Sequence, residues 1–363
     1  MAPGSDEKTM RKQKDETPTD QNLGWWRPDR HADRRPILLA RNRIKAAFRS
    51  FFEAERFTEV ECGQVQISPG NETHLHAMEV RQRTPEGELS TRYLHTSPEF
   101  AMKKLIAGGE KRIFDFARVF RARERGALHA PEFTMLEWYR TEAPYEVLMQ
   151  DCAELLALAA ETTGTKHFEF RGAVCNPHHE AERLTVAEAF DRYAGIDLLA
   201  TTPRGLPDRE RFFEAVSKSG IRTADDDTWA DLFSRVMVEK IDPHLGIGRP
   251  TVLCEYPVSE AALARPKPSD PLVAERFELF VCGVELANAF CELTDAQEQR
   301  RRFEHDMTLK EKLYGERYPI DDALLEALTF MPPTSGIALG FDRLVMLATH
   351  APHIDQVMWT PFT

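Results

Sequence analysis

The sequence predicts an α+β domain, an antiparallel β-sheet flanked by helices. Apolar strand segments gather at Ile113–Arg121, Glu132–Arg140 and Arg276–Glu292. Strands and helices do not alternate regularly, which argues against a doubly wound parallel sheet. The 363 residues, 42% apolar and 29% charged, are enough to bury a proper core in one large domain or two ordinary ones. No apolar run approaches the ~20 residues of a membrane helix. The Met1–Gly4 start leads into mixed charges, with no apolar stretch to act as a signal peptide. A cytoplasmic protein without a membrane partner is expected.

Residues 1–32 are rich in Lys, Asp, Glu, Thr and Pro, with apolar residues at the end in Leu23, Trp25 and Trp26. So little apolar surface does not offset the entropy of ordering. The expectation is a disordered charged tail, too short for a folded RNA-binding barrel, ahead of a domain over 33–363. From Pro36 onward Ile37, Leu38, Ile44, Phe48, Phe51 and Phe52 recur at helical spacing. Phe57–Cys62 reads as a strand, and Thr84–Gly87 as a turn between two more. Ser97-Pro98-Glu99 opens a helix with proline in its first turn. The 113–121 and 132–140 segments read as an antiparallel hairpin with a long charged connection. Tyr145–Thr162 is an amphipathic helix. A mostly helical insertion follows over about 183–248, with a capping box at Thr185–Glu188. Strands return at Thr251–Tyr256 and Arg276–Glu292, and from Pro332 a glycine-containing strand runs into a final helix. The six cysteines (62, 152, 175, 254, 282 and 291) form no CxxC pair, which suits a reducing compartment.

Three stretches carry chemistry. In the first, Arg118, Arg121, Arg123, Arg125 and His129 crowd a loop between two strands. Arginine forks suit phosphate oxygens. Alternation puts Phe133, Met135, Glu137 and Tyr139 on one face of the next strand. An aromatic beside a basic loop can stack a base, and a solvated basic turn fits the composition equally well. In the second, Glu278, Glu285 and Glu292 fall seven apart in otherwise apolar strands. Acids there are costly unless paired or metal-bound. A tight turn at Cys282-Gly283 brings Glu278 and Glu285 together. Alternation puts Asn288, Phe290 and Glu292 on one face and Glu285 on the other, a conflict that a β-bulge resolves. Carboxylates on adjacent strands suit Mg²⁺; the alternative is an exposed acidic sheet face. The third, Ser335–Leu347, is a glycine strand running into a helix with an early arginine. It permits close approach of a ligand, although glycines also serve packing.

In order and content the three stretches resemble the class II aminoacyl-tRNA synthetases, most nearly the lysine type. Phe120-Arg121 with His129 and Pro131–Tyr139 is similar to motif 2, Gly336–Arg343 to motif 3, and the helix from Ile37 with the strand to Cys62 to motif 1. The resemblance covers about 33–363. Within it, Thr96–Glu99, Thr134–Tyr139 and Ala338–Arg343 are most similar to the stand-alone paralogues that activate (R)-β-lysine with ATP and join it to a lysine of elongation factor P. Those paralogues lack the anticodon-binding barrel, and only a short tail precedes the domain here.

The resemblance implies roles for individual residues. Arg121 holds the α-phosphate, Phe133 and Arg343 sandwich adenine, and His129 lies near the outer phosphates. Ala122, Arg123, Ala130, Leu286 and Gly340 join them around ATP. Glu278 and Glu285 take Mg²⁺. Ser97, Pro98, Glu99, Glu137, Tyr139, Asn288, Phe290, Glu292 and Ala338 form the lysine pocket. Glu99 also reads as the end of a capping box with Thr96. Arg121 and Arg343 are the implied catalytic pair. The implied partners are elongation factor P, (R)-β-lysine or lysine, and a second copy in a homodimer. A minimal lysyl-tRNA synthetase and a non-catalytic binding paralogue are the alternatives. Net charge of −12 is a poor field for a polyanion, so tRNA is not expected as a partner. Three positions depart from the class pattern. Gly63 replaces the motif 1 proline, Arg121-Ala122-Arg123 with Glu124 next replaces Arg-Asn-Glu, and Ala130 replaces asparagine.

Overall fold

The computed structural model describes residues 24–362. Its centre is an eight-stranded sheet of β1 (Thr58–Glu59), β2 (Arg112–Phe120), β3 (Glu132–Thr141), β4 (Glu182–Thr185), β5 (Thr251–Cys254), β6 (Arg276–Val281), β7 (Val284–Cys291) and β8 (Thr334–Gly340). The spatial order is β1-β2-β3-β8-β7-β6-β5-β4. The six inner strands pair antiparallel, as expected, while the edge pairs β1–β2 and β4–β5 are parallel. Long crossovers through helices reach both edges, and parallel neighbours require such crossovers. The strand expected over 57–62 shortens to two residues. The Cys62 amide donates to the Asp115 carboxylate (3.0 Å) and so leaves the ladder.

Helices are α1 (Pro28–Ala54), α2 (Glu99–Ala107), α3 (Glu146–Thr163), α4 (Val186–Ala194), α5 (Arg209–Lys218), α6 (Trp229–Val236), α7 (Ala296–Tyr314), α8 (Asp322–Leu328) and α9 (Phe341–Thr349). The helix expected from Pro36 begins at Pro28, and Pro36 lies inside it. Residues 28–32, assigned to the tail, are therefore helical. Pro28 suits a first turn, and Arg34 donates to the Asp355 (3.0 Å) and Met358 carbonyls, docking the early turns on the end of the chain. The rest of the expected tail, residues 1–23, lies outside the described residues. None of the described helices is long and apolar enough to cross a membrane.

One sheet face packs against α1, α3 and α9 through Phe48, Phe52, Leu136, Trp138, Leu155 and Leu339. At the other, Phe100, Phe303, Leu324 and Leu328 pack beside Tyr139 and Ile113. The 183–248 insertion has its own core of Phe190, Phe212, Trp229 and Phe233, closed against Leu253 and Phe280. Its expected capping box forms at Thr185 and Glu188.

Register sets the working face. Tyr139, Gly336, Phe290 and Arg276 form one cross-strand row, and Glu137, Ala338, Asn288 and Glu278 the next. A bulge, which would reconcile the alternation of the two faces, is present. Leu279 opposes Ala287 but Phe280 opposes Glu285, so Leu286 is the extra residue. That single insertion brings Glu285 round to the face of Asn288 and Phe290. The turn is the expected Cys282-Gly283, both at positive φ (56° and 71°), as a two-residue hairpin requires.

Gly246 locks the insertion onto this turn. Its carbonyl accepts from the Cys282 amide (2.8 Å). A Cβ there, at φ +70°, would meet the Phe280 carbonyl oxygen and Val281 Cα at 2.6 Å. Gly248 shares the backbone conformation (φ +75°) with nothing within 4 Å. Left-handed strain costs ~1–2 kcal/mol, and overpacking adds ~1–3. Urea denaturation should therefore show Gly246→Ala losing about 2–5 kcal/mol and Gly248→Ala about 1–2. Equal losses would contradict the packing account.

Candidate active site

A cleft of about 210 Å³ opens on the face carrying Glu137, Tyr139, Asn288, Phe290 and Ala338. Its inner end is acidic and its outer end basic. At the inner end, Ser97 Oγ donates to Glu137 Oε2 (2.7 Å), and Tyr139 OH donates to Glu137 Oε1 (2.6 Å). The Lys103 ammonium lies 2.5 Å from Glu99 Oε1 and 2.6 Å from Glu292 Oε2, its side chain only 2% exposed. Glu292 Oε1 is buried with no hydrogen-bond partner. Three carboxylates thus face one fixed cation, and the deficit fits a ligand bringing two ammonium groups.

Glycine is compulsory at 336. A Cβ would sit 2.3 Å from Tyr139 Cε1 and 2.5 Å from Glu292 Oε1. Strand β8 can therefore pass close behind both side chains only without a side chain there.

At the outer end the Arg121 guanidinium lies 5.3 Å from the centre of the Phe133 ring, a cation–π contact. Arg343 Nη2 meets His129 Nε2 at 2.8 Å, and its Nη1 donates to the Glu285 carbonyl (2.9 Å). Burial, Arg343 and Arg121 all lower the His129 pKa. The neutral ring accepts from Arg343 and leaves both arginines their charge for an anion.

Of the residues singled out in the sequence, the cleft is lined by Ser97, Glu99, Arg121, His129, Ala130, Phe133, Glu137, Tyr139, Glu285, Leu286, Asn288, Phe290, Glu292, Ala338, Gly340 and Arg343. Six are elsewhere. Arg118 lies on β2 and pairs with Glu132 (3.6 Å), and Arg125 pairs with Asp355 (2.9 Å). Pro98 is the buried N-cap of α2, outside the lining although both its neighbours belong to it. Ala122 is taken up in backbone pairing with His76 (2.7 Å). Arg123 is 57% exposed and pairs with Glu316. Its positive φ of 65° turns the chain, so Glu124 enters the cleft instead, 3.9 Å from Arg121. Glu278 lies one strand behind Asn288, held by Arg276 Nη2 at 2.6 Å. Burial and then Glu285 raise its pKa to about 7, against Arg276. Two hard-oxygen acids that repel each other beside an anion site fit a divalent cation sharing substrate phosphates.

Lys103, Gly336 and Glu72 also shape the cleft and were not singled out. The one signal for Lys103 was its i,i+4 spacing from Glu99. Motif reading does not separate that from a surface pair.

Burial, then Glu99, push Glu137 up to about 8 from 4.5, against its bonds to Tyr139 and Ser97. Burial raises Glu292 to about 8, against Lys103. Between 4.5 and about 8 the folded empty chain therefore holds protons that the unfolded chain has lost. Stability falls as pH rises through that window. Two ammonium groups brought into the pocket reverse the shift, so binding of a diamino acid at pH 7 should release protons. Calorimetric heats should vary with buffer ionisation enthalpy; buffer-independent heats would contradict this.

The family model described as tRNA synthetases class II (D, K and N) matches residues 22–363. The chain is 37% identical over 323 residues to an elongation factor P–(R)-β-lysine ligase of Haemophilus ducreyi, covering 88% of this chain and 92% of that one. It is 37% identical over 338 residues to the ligase of Haemophilus influenzae (93% and 97%). It is 38% identical over 340 residues to that of Salmonella arizonae (92% and 96%).

Proposed function

We propose, since this chain belongs to the class II tRNA synthetase family of the D, K and N group, that it activates (R)-β-lysine or lysine with ATP and transfers it to a lysine of elongation factor P. The polarity of the cleft carries this reading. A buried triad of acids around Lys103 suits a diamino acid, and two arginines beside an aromatic suit a nucleotide. The relatives that share nearly the whole length of this chain bear that activity in their names.

In the first step the substrate carboxylate attacks the α-phosphorus in line, giving an aminoacyl-adenylate and pyrophosphate. The protein's part is positioning and charge neutralisation. Glu99, Glu137 and Glu292 take the ammonium groups, Arg121 the α-phosphate, and Phe133 and Arg343 flank adenine. Glu285, with Glu278 behind it, would hold Mg²⁺, which would neutralise phosphate charge. In the second step a lysine ε-amine attacks the adenylate carbonyl to form an amide. A cytoplasmic homodimer of one catalytic domain completes the proposal. Phe48 and Phe52 on α1 are already buried within the chain, so pairing of two copies draws on other residues of that helix.

Pyrophosphate exchange with both lysine isomers, followed by mass spectrometry of elongation factor P, tests the reading. One lysyl mass on a single lysine is expected, and efficient charging of tRNA(Lys) would overturn it.

Ala338 stands between Glu137 and Asn288 in the cross-strand row and lines the cleft. Its methyl crowds the α-amino group of α-lysine, and moving that amine one carbon along relieves the crowding. One methyl in a pocket discriminates by roughly 10–200-fold. The wild type should prefer (R)-β-lysine, and Ala338→Gly should narrow or reverse the ratio in pyrophosphate exchange with little change in thermal stability. An unchanged ratio would clear this methyl of any selective role.

A further inference from the structure

A second, smaller chamber adjoins the cleft, and the two share Glu72, Leu75, Ser97, Glu99, Arg121 and Leu263. It runs back toward Phe100, Phe303 and Asp306 and holds about 40 Å³. At ~10–15 Å³ for each water, that is room for an ammonium head with its first methylenes and not for a nucleotide.

Glu72 stands at the junction, on a loop pinned from both sides. Lys310 donates to the carbonyls of Thr73 (3.0 Å) and Leu75 (2.6 Å), and Asn71 donates to the Pro319 carbonyl (3.3 Å). Among the described residues its carboxylate has no hydrogen-bond or ion-pair partner. The charged groups around it are Arg121, Glu99, Arg276, Asp306 and Lys310. Arg121 is the strongest of its electrostatic neighbours, and the Glu72 side chain is open to solvent at the mouth of the chamber. Glu72 therefore lies between the arginine proposed for the α-phosphate and the Ser97–Glu99 edge of the acid pocket. The carbonyl of an adenylate spanning the two would lie there.

The activation step leaves Glu72 without a role, and the transfer step has no base. A lysine amine with pKa ~10.4 is almost wholly protonated at pH 7, so attack needs a proton acceptor. We propose that Glu72 receives the ε-ammonium of the acceptor lysine at the chamber mouth and takes its proton, an inference that rests on the ligase reading above. One proton passes from nitrogen to the Glu72 carboxylate. The freed lone pair forms the C–N bond to the adenylate carbonyl. The bond from that carbon to the phosphate oxygen breaks, and its electron pair leaves with AMP. The second nitrogen proton goes to the AMP phosphate or to water.

The test is Glu72→Gln in the full chain. Pyrophosphate exchange with (R)-β-lysine should fall far less than transfer, within a few-fold and with little change in KM, which also establishes that the variant folds. Single-turnover transfer from preformed adenylate to elongation factor P should fall roughly 10²-fold at pH 7. It should recover about tenfold per pH unit toward pH 9, as the free amine supplies itself. Hydroxylamine, largely unprotonated at neutral pH, should trap the adenylate at the wild-type rate. A raised KM in exchange would overturn the proposal by assigning Glu72 to the activated substrate. So would unchanged transfer at pH 7, a deficit constant with pH, or an equal loss with hydroxylamine. Failure of the wild type itself to form adenylate or to modify elongation factor P would strike the ligase reading instead.

Discussion

The cleft depends on one buried cation. Lys103 lies midway along α2 and reaches Glu99 at the start of its own helix and Glu292 at the end of β7. A charge so enclosed is costly unless paired, and removing one member of such a pair leaves the other stranded. The arrangement therefore ties the helix to the sheet and fixes both carboxylates at once. It also leaves the pocket deliberately short of positive charge. Glu137, held by Ser97 and Tyr139 but by no cation, completes a set that protons neutralise in the empty pocket and an incoming ligand's ammonium groups can neutralise in their place.

A second buried pair plays a similar part behind the nucleotide end. Arg41 of α1 pairs with Asp342 at the head of α9 and donates to Thr134 Oγ1 on β3 (2.9 Å). The Thr134 amide donates to the other Asp342 oxygen (2.9 Å). The residue next to Arg343 is thereby anchored to both the long helix and the strand that carries Phe133. Phe133 and Arg343 inherit their spacing from this triangle, because neither can shift without disturbing a buried charge.

What was legible in the sequence follows from period and turn chemistry. The faces of β3 and β7 are visible because strand alternation is strict, whereas Ala338 and Gly340 on β8 followed from the family resemblance. The parity conflict at Glu285 pointed to a bulge as one way to reconcile the faces. The residues facing the cleft from those strands were accordingly named. Harder to see was anything set by loop backbone. The left-handed turn at Arg123, which swaps it for Glu124, leaves no mark in composition. The apolar helical spacing begins only at Ile37, yet contacts from Arg34 to the chain end extend the helix back to Pro28. Lys103 draws its meaning from Glu292, far away in sequence, and Glu72 from Arg121, so the local i,i+4 pairing of Lys103 with Glu99 did not distinguish it from a surface pair.

The bulge in β7 also turns that strand into a measuring rod. Glu285 stands on this rigid strand and Glu292 directly follows it, about 20 Å away at ~3.3 Å per residue once the bulged Leu286 is discounted. The first belongs to the phosphate end of the cleft and the second to the ammonium end. The span between them is written into hydrogen bonds to both neighbouring strands. Amino acids of different length must therefore be gauged against a fixed scale, and shortening or lengthening the chain displaces its carboxylate from the reacting phosphorus even when the terminal ammonium is well seated.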